Sequence, residues 1–199
     1  MADTQDTDLL RQFQEIGRDI FVSGLCSSHA GNMSVRAPGD GDRLIITRTG
    51  SMLGRLRPPD LITTGILADD AATPLTSSEI AAHRAIYRAG AAQAVVHAHP
   101  AAAVALSLQF DAIEPINSEG RQFLPLVPVL APVHPAGSPE LAADIAETLY
   151  RAGDGRLMLV RGHGCFAGGA TLEQAYQWVS CFEEACKILL HTLALANGR

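Results

Sequence analysis

The chain has 199 residues, 47% apolar and only 5% aromatic, which suits one domain with a core built mainly from Ala, Val, Leu and Ile. A formal net charge of −6, with 18% charged residues, argues against a general nucleic-acid or anionic-membrane surface and leaves room only for local basic patches. Cys26, Cys165, Cys181 and Cys186 form no CxxC pair, which argues against a structural zinc ribbon and for free thiols in a cytoplasmic protein.

The acidic opening MADTQDTDLL lacks the basic region of a signal peptide. Residues 8–24 place Leu9, Phe13, Ile16 and Ile20 near helical spacing, with Gly24 as the stop. A turn-rich loop, LCSSHAGNMSVR, runs into a short strand at 33–36. DRLIITRTG predicts a strand ending at Thr49-Gly50, and DLITTGIL another. LTSSEIAAHRAIYRAG predicts a helix opened by Thr76 or Ser77 and closed by Gly90. AAQAVVHAHP follows as a central strand, then a helix from Pro100 to Leu108. The proline-rich 123–133 reads as extended. Residues 138–153 predict a helix from a Ser138 cap to Gly153, and RLMLVRGHGCFAGG a strand, a turn and a strand. A long helix with Thr171 as its cap completes the series. The apolar stretches 91–108 and 123–133 are interrupted by histidines or prolines, so neither reads as a membrane span. No repeat or linker divides the chain. Residues 1–199 therefore read as one domain, α+β or α/β, with one mixed sheet.

Three histidines stand out. His97 and His99 lie two apart on a strand, so they share a face. His163 sits between Gly162 and Gly164 after an apolar strand. The plainer reading makes them core histidines bonded to backbone. The chemical one makes them a three-ligand set with an open position, the plan of a catalytic zinc site. Glu79 also has two readings. In TSSE it is the N3 residue of a capping box with Thr76 at the cap. Alternatively it projects beside a helix N-terminus as a general base or fourth metal ligand, with Ser77 and Ser78 donating to a phosphate. His83, one turn on, reads as solvated or structural. SSHAGNMS and TRTGS supply two turns whose amides suit an anion, and Arg36, Arg48, Arg55 and Arg57 lend positive field or solvate the surface.

The ordered set AGNMSVR, ITRTGSMLG, TSSE, VVHAHP and VRGHG, followed by the long helix, resembles the class II aldolase/adducin family of the zinc-dependent fuculose-phosphate aldolase type. The likeness spans about residues 8–193, with Glu79 eighteen residues before His97. It implies a three-layer α/β/α fold with a mostly antiparallel central sheet. It implies Zn2+ held by His97, His99 and His163, with Glu79 as ligand or base. It also implies a phosphate site from Asn32, Thr49, Gly50, Ser77 and Ser78, to which Gly31 of the first loop belongs, and a homotetramer with interfacial active sites.

Three departures from the family pattern stand out. His29 occupies a loop position that usually carries Thr or Ser, so it joins the phosphate-binding candidates. The usual tyrosine proton donor falls in INSEGRQ, which leaves Asn117, Ser118 or Glu119 to replace it. Arg199 follows soon after the terminal helix, without the aromatic tail of some relatives. The implied reaction is reversible cleavage of a fuculose-, 5-deoxyribulose- or 5-methylthioribulose-type ketose 1-phosphate to dihydroxyacetone phosphate and an aldehyde. Dehydration, sugar-acid decarboxylation and 4-epimerisation are alternatives on the same site. A non-catalytic adducin-like interaction domain is a further alternative, and it predicts loss of the histidines and the glutamate, which are present here.

Overall fold

A computed structural model describes residues 4–134, 137–152 and 154–197. Helix α1 (Thr4–Val22) buries Phe13 and Ile20 completely and ends before Gly24, as the spacing predicts. Strands β1 (Asn32–Ala37), β2 (Asp40–Thr47) and β3 (Leu61–Gly65) form a meander. Thr49 and Gly50, expected at the end of a strand, fall in the turn after β2. Helix α2 (Ile80–Ala89) leads to strand β4 (Ala94–Ala98) and helix α3 (Ala101–Ser107).

The expected extended run at 123–133 holds a strand, and residues 111–122 before it, to which the sequence reading assigns no element, are also structured. Together they contain the two-residue strand β5 (Ala112–Ile113), the short helix α4 (Ser118–Phe123) and strand β6 (Val127–Leu130). Helix α5 (Pro139–Glu147) starts at Ser138, whose hydroxyl accepts from the Leu141 amide. It passes into a π-helical turn over Thr148–Ala152. The expected stop at Gly153 lies outside the described residues. Strands β7 (Leu157–Val160) and β8 (Gly164–Gly169) flank a tight turn. Helix α6 (Leu172–Asn197) is capped by Thr171, whose hydroxyl accepts from the Gln174 amide.

The strands make one eight-stranded sheet in the order β3-β2-β1-β4-β8-β7-β6-β5. Every pairing is antiparallel except β6 with β7, so the sheet is mostly antiparallel. Alternate residues feed two cores. Met33, Val35, Ala94, Val96 and Ala98 meet α1, α3 and α6 on one face, while Val95, Met158 and Phe166 meet α2 and α5 on the other. The result is a three-layer α/β/α fold. Strand β4 lies mid-sheet and is buried along its whole length, which explains why its sequence is continuously apolar around the histidine. No described helix is long and apolar enough to cross a membrane.

Candidate active site

The strand register brings the separated motifs to one end of the sheet. Asn32 at the start of β1 pairs with His97 at the end of β4, and Ala98 pairs with Cys165 at the start of β8. The end of β2 lies beside the start of β1, with Ile46 opposite Ser34. Loop 29–31, turn 48–51, segment 77–79, the end of β4 and the β7–β8 turn therefore meet around a cleft of about 180 Å³. Larger grooves exist, one of about 710 Å³ along α6. The small cleft gathers the chemistry: it is lined by His29, Gly31, Asn32, Thr49 and Gly50, and by Ser77, Ser78, Glu79, His97, His99 and His163.

One ring nitrogen of each of His97, His99 and His163 lies within 4.8 Å of the others, the one such metal-competent group among the described residues. His97 and His99 share a face, as strand parity requires, with ring centroids 4.7 Å apart. His97 Nδ1 lies 2.8 Å from the Cys165 carbonyl, which can only accept, so Nδ1 carries the proton and Nε2 keeps its lone pair. That lone pair faces His99 Nε2 at 2.9 Å. Burial, with His99 and His163 adding to it, holds His97 well below the usual imidazole range, and burial with His163 lowers His99 to about 4. These two rings are therefore neutral near pH 7, the form in which imidazole binds a metal. A backbone carbonyl fixing the remote ring nitrogen is the usual support for a ligating histidine. The donor set thus fits one divalent ion.

Two glycines make this convergence sterically feasible. A Cβ on Gly164 would stand 2.4 Å from the Ala98 carbonyl and 2.6 Å from the His99 ring. Gly31 has φ of +79°, and a Cβ there would meet Cys26 Sγ at 2.4 Å and the His97 carbonyl at 2.9 Å.

The capping-box reading of Glu79 does not survive. Helix α2 begins at Ile80, with Glu79 itself at the cap position and making no side-chain cap bond. The Thr76 hydroxyl donates instead to the Thr73 carbonyl, 2.7 Å away, because Thr76 closes a 3-10 turn over Thr73–Leu75 rather than opening the helix. The Glu79 carboxylate has no hydrogen-bond partner among the described residues. Desolvation raises its pKa, and the neighbouring His163 partly offsets this. A partly buried carboxylate with a raised pKa beside three imidazoles suits proton transfer.

The anion-cradle candidates divide by what their donors already do. The Thr49 amide donates to the Leu75 carbonyl and the Ser77 amide to the Thr47 carbonyl, so neither is free. The Gly50 and Ser78 amides make no hydrogen bond among the described residues. Ser77 is buried, with its hydroxyl accepting from the Glu79 amide at 3.3 Å, whereas Ser78 is exposed. His29 Nδ1 pairs with the Ser28 hydroxyl at 3.0 Å. Arg48, expected either to lend positive field or to solvate the surface, lines the cleft, whereas Arg36 is spent on backbone carbonyls.

Ser118 and Glu119 do not reach this cleft within one chain. They lie on α4, which packs on α6, and Glu119 lines the separate α6 groove. His83 is not solvated. It is fully buried between Asn32 and Ser34, a placement that its spacing from Glu79 does not reveal.

The comparisons agree with this geometry. The profile of the Class II Aldolase and Adducin N-terminal domain matches residues 11–190. The crystal structure of L-fuculose-1-phosphate aldolase from Thermus thermophilus superposes with a TM-score of 0.87 at 37% identity, covering 96% of this chain and 97% of that one. A 3-oxo-tetronate 4-phosphate decarboxylase of Escherichia coli is 31% identical over 92% of this chain and 87% of its own length. A probable bifunctional methylthioribose-1-phosphate isomerase/methylthioribulose-1-phosphate dehydratase of Nocardia farcinica is 31% identical over 88% of this chain. The chain spans about a third of that bifunctional protein, 34% of its length.

Proposed function

This chain belongs to the class II aldolase and adducin family, and on that footing we propose that it is a zinc-dependent lyase of phosphorylated sugars. The reading favoured is reversible cleavage of a ketose 1-phosphate of the fuculose, 5-deoxyribulose or 5-methylthioribulose type to dihydroxyacetone phosphate and an aldehyde. The observation that carries it is the convergence of three imidazoles, two of them held neutral, with an unpartnered carboxylate in a cleft lined by polar donors. The 37% identity to a fuculose-phosphate aldolase supports the aldol direction. The decarboxylase and dehydratase names of other relatives favour a second reading, in which the same cleft drives one of those eliminations.

In this account His97, His99 and His163 hold one divalent ion, and Zn2+ suits a set of three imidazole nitrogens. When bound, the ion supplies Lewis-acid stabilisation for negative charge developing on a substrate oxygen. The protein does the rest. In cleavage Glu79 accepts the substrate hydroxyl proton as the carbon–carbon bond breaks and gives a proton to the triose carbon that keeps the bonding electrons, so dihydroxyacetone phosphate and the aldehyde form with no net proton gained or lost; synthesis runs the same two transfers in reverse. Asn32, Ser77, Ser78 and the free amides of Gly50 and Ser78 hold the phosphate, with Arg48 adding charge. Fixing the phosphate sets the scissile bond against Glu79 and limits the approaches the substrate can make.

The chain 1–199 acts as one domain in this reading, supported by a single sheet shared by both cores. A homotetramer with interfacial sites gives Ser118 and Glu119 a route to a neighbour's cleft as proton donors. Sedimentation at micromolar concentration tests this, and a monomer overturns it. The four free cysteines support a cytoplasmic setting.

The test of function is a panel of phosphorylated ketoses and sugar acids assayed with metal-loaded enzyme. Release of dihydroxyacetone phosphate from a ketose 1-phosphate is the expected result. Carbon dioxide release, or dehydration without a triose, transfers the assignment to the second reading.

A further inference from the structure

Behind the cleft a buried chain of side chains leads to Asn32, and its other members, Tyr87, Ser34 and His83, have no part in the proposed reaction. Tyr87 and Ser34 hydroxyl oxygens are 2.7 Å apart, Ser34 Oγ is 2.6 Å from His83 Nδ1, and His83 Nε2 is 2.6 Å from Asn32 Oδ1. Tyr87 is 1% exposed, His83 and Ser34 not at all, so water does not compete for these bonds. Helix α2 supplies His83 and Tyr87, one turn apart on its sheet-facing side, and β1 supplies Asn32 and Ser34, two apart on one face.

The proton direction along this chain follows from its inner end. Ser34 Oγ is the one hydrogen-bond partner of the Tyr87 hydroxyl among the described residues. A buried O–H left without an acceptor costs more than an unused lone pair, so Tyr87 donates to Ser34. Ser34 then donates to His83 Nδ1, which accepts only if it is unprotonated. His83 is neutral, since burial lowers it to about 3. Its single proton must sit on Nε2, where it points at Asn32 Oδ1. The Asn32 amide is thereby held with its oxygen toward the interior, leaving Nδ2 as the arm without a partner. The opposite amide orientation would reverse every bond and strand the Tyr87 proton.

We propose that His83 is a positioning residue for substrate phosphate: the Tyr87–Ser34–His83 relay locks the Asn32 amide so that its NH2 group, and not its carbonyl, faces the anion. The relay acts by excluding the repulsive orientation, so its effect appears in anion affinity. The inference rests on the reading of Asn32 as part of the phosphate cradle.

The experiment measures competitive inhibition by inorganic phosphate, together with KM and kcat for the phosphorylated ketose, in Asn32→Ala, His83→Phe, His83→Gln and Tyr87→Phe. Metal content is checked in each. His83→Phe fills the space without hydrogen bonds and should raise the inhibition constant and KM by about tenfold, the scale of one hydrogen bond to an anion. Its kcat and metal content should change much less. His83→Gln can still donate to Asn32 and should recover most of the loss. Tyr87→Phe removes only the terminal hydroxyl and leaves the buried histidine in place. It should weaken phosphate by about threefold even if His83→Phe fails to fold. Adding His83→Phe or Tyr87→Phe to Asn32→Ala should have no further effect. If Asn32→Ala leaves phosphate inhibition unchanged, the cradle reading falls and this inference with it. If Asn32→Ala weakens phosphate while His83→Phe and Tyr87→Phe do not, the cradle stands and the relay is overturned.

Discussion

Phe166 lies flat against His97, ring centroids 4.2 Å apart and planes within 19°. The two are cross-strand partners on β8 and β4, and Phe166 is fully buried. The phenyl ring thus packs one side of the imidazole while the Cys165 carbonyl holds its Nδ1. Phe166→Leu should preserve the fold but weaken metal binding, because the smaller side chain lets the imidazole tilt. Phe166→Ala should also cost about 3–5 kcal/mol of stability through the cavity it leaves. Urea unfolding and a metal titration check the two parts. Unaltered metal affinity in Phe166→Leu would mean that the carbonyl alone fixes His97.

Phosphate on the substrate should contribute strongly to binding. Ser77→Ala with Ser78→Ala removes two hydroxyls from the cleft wall, and hydrogen bonds to charged groups are worth about 1.5–3 kcal/mol each. KM for the phosphorylated ketose should rise tenfold or more on that scale. KM for the unphosphorylated sugar should barely move. A double variant with the parent's preference for phosphorylated substrate would show that these serines face the wrong way.

The parts of the site that follow from local rules were legible in the chain. Strand parity alone puts His97 beside His99, and a histidine between two glycines marks a turn where backbone can approach closely. Ser138 and Thr171 are read as caps and behave as caps. Glu79 was ambiguous because TSSE satisfies the capping-box pattern, and only the 3-10 turn before it diverts the Thr76 hydroxyl. His83 was opaque for a different reason. Its partners Asn32 and Ser34 lie about fifty positions away, and nothing in the helix sequence shows which strand residues it covers. Helix α4 and strand β5 have no counterpart in the sequence reading because a six-residue helix and a two-residue strand are too short for periodicity to register.

His83 also sets a pH dependence of stability. Its folded-state value is lowered to about 3 by burial, against about 6.5 for an unfolded chain. Between those values the unfolded state holds a proton that the folded state does not, so stability is lost as pH falls from about 6.5 and regained as it rises. Against His83→Gln, which cannot titrate, the parent's relative stability should drop by about 2 kcal/mol from pH 7 to pH 5. Urea denaturation of both proteins at matched pH checks this. A difference that stays constant would mean the buried imidazole takes up its proton without unfolding.

Glu79 carries the proton transfer on which the proposed cleavage depends. In Glu79→Gln the carboxamide is nearly the same size, no cap bond is lost because none is made, and three histidines remain to hold the ion. The measurement is kcat for the cleavage reaction on protein shown to be folded and metal-loaded. A general base is worth roughly 10²–10⁴-fold in rate, and kcat should fall by that factor with metal content unchanged. A folded, metal-loaded Glu79→Gln enzyme that turns over at the parent rate would contradict the assignment of proton transfer to this residue, and with it the mechanism.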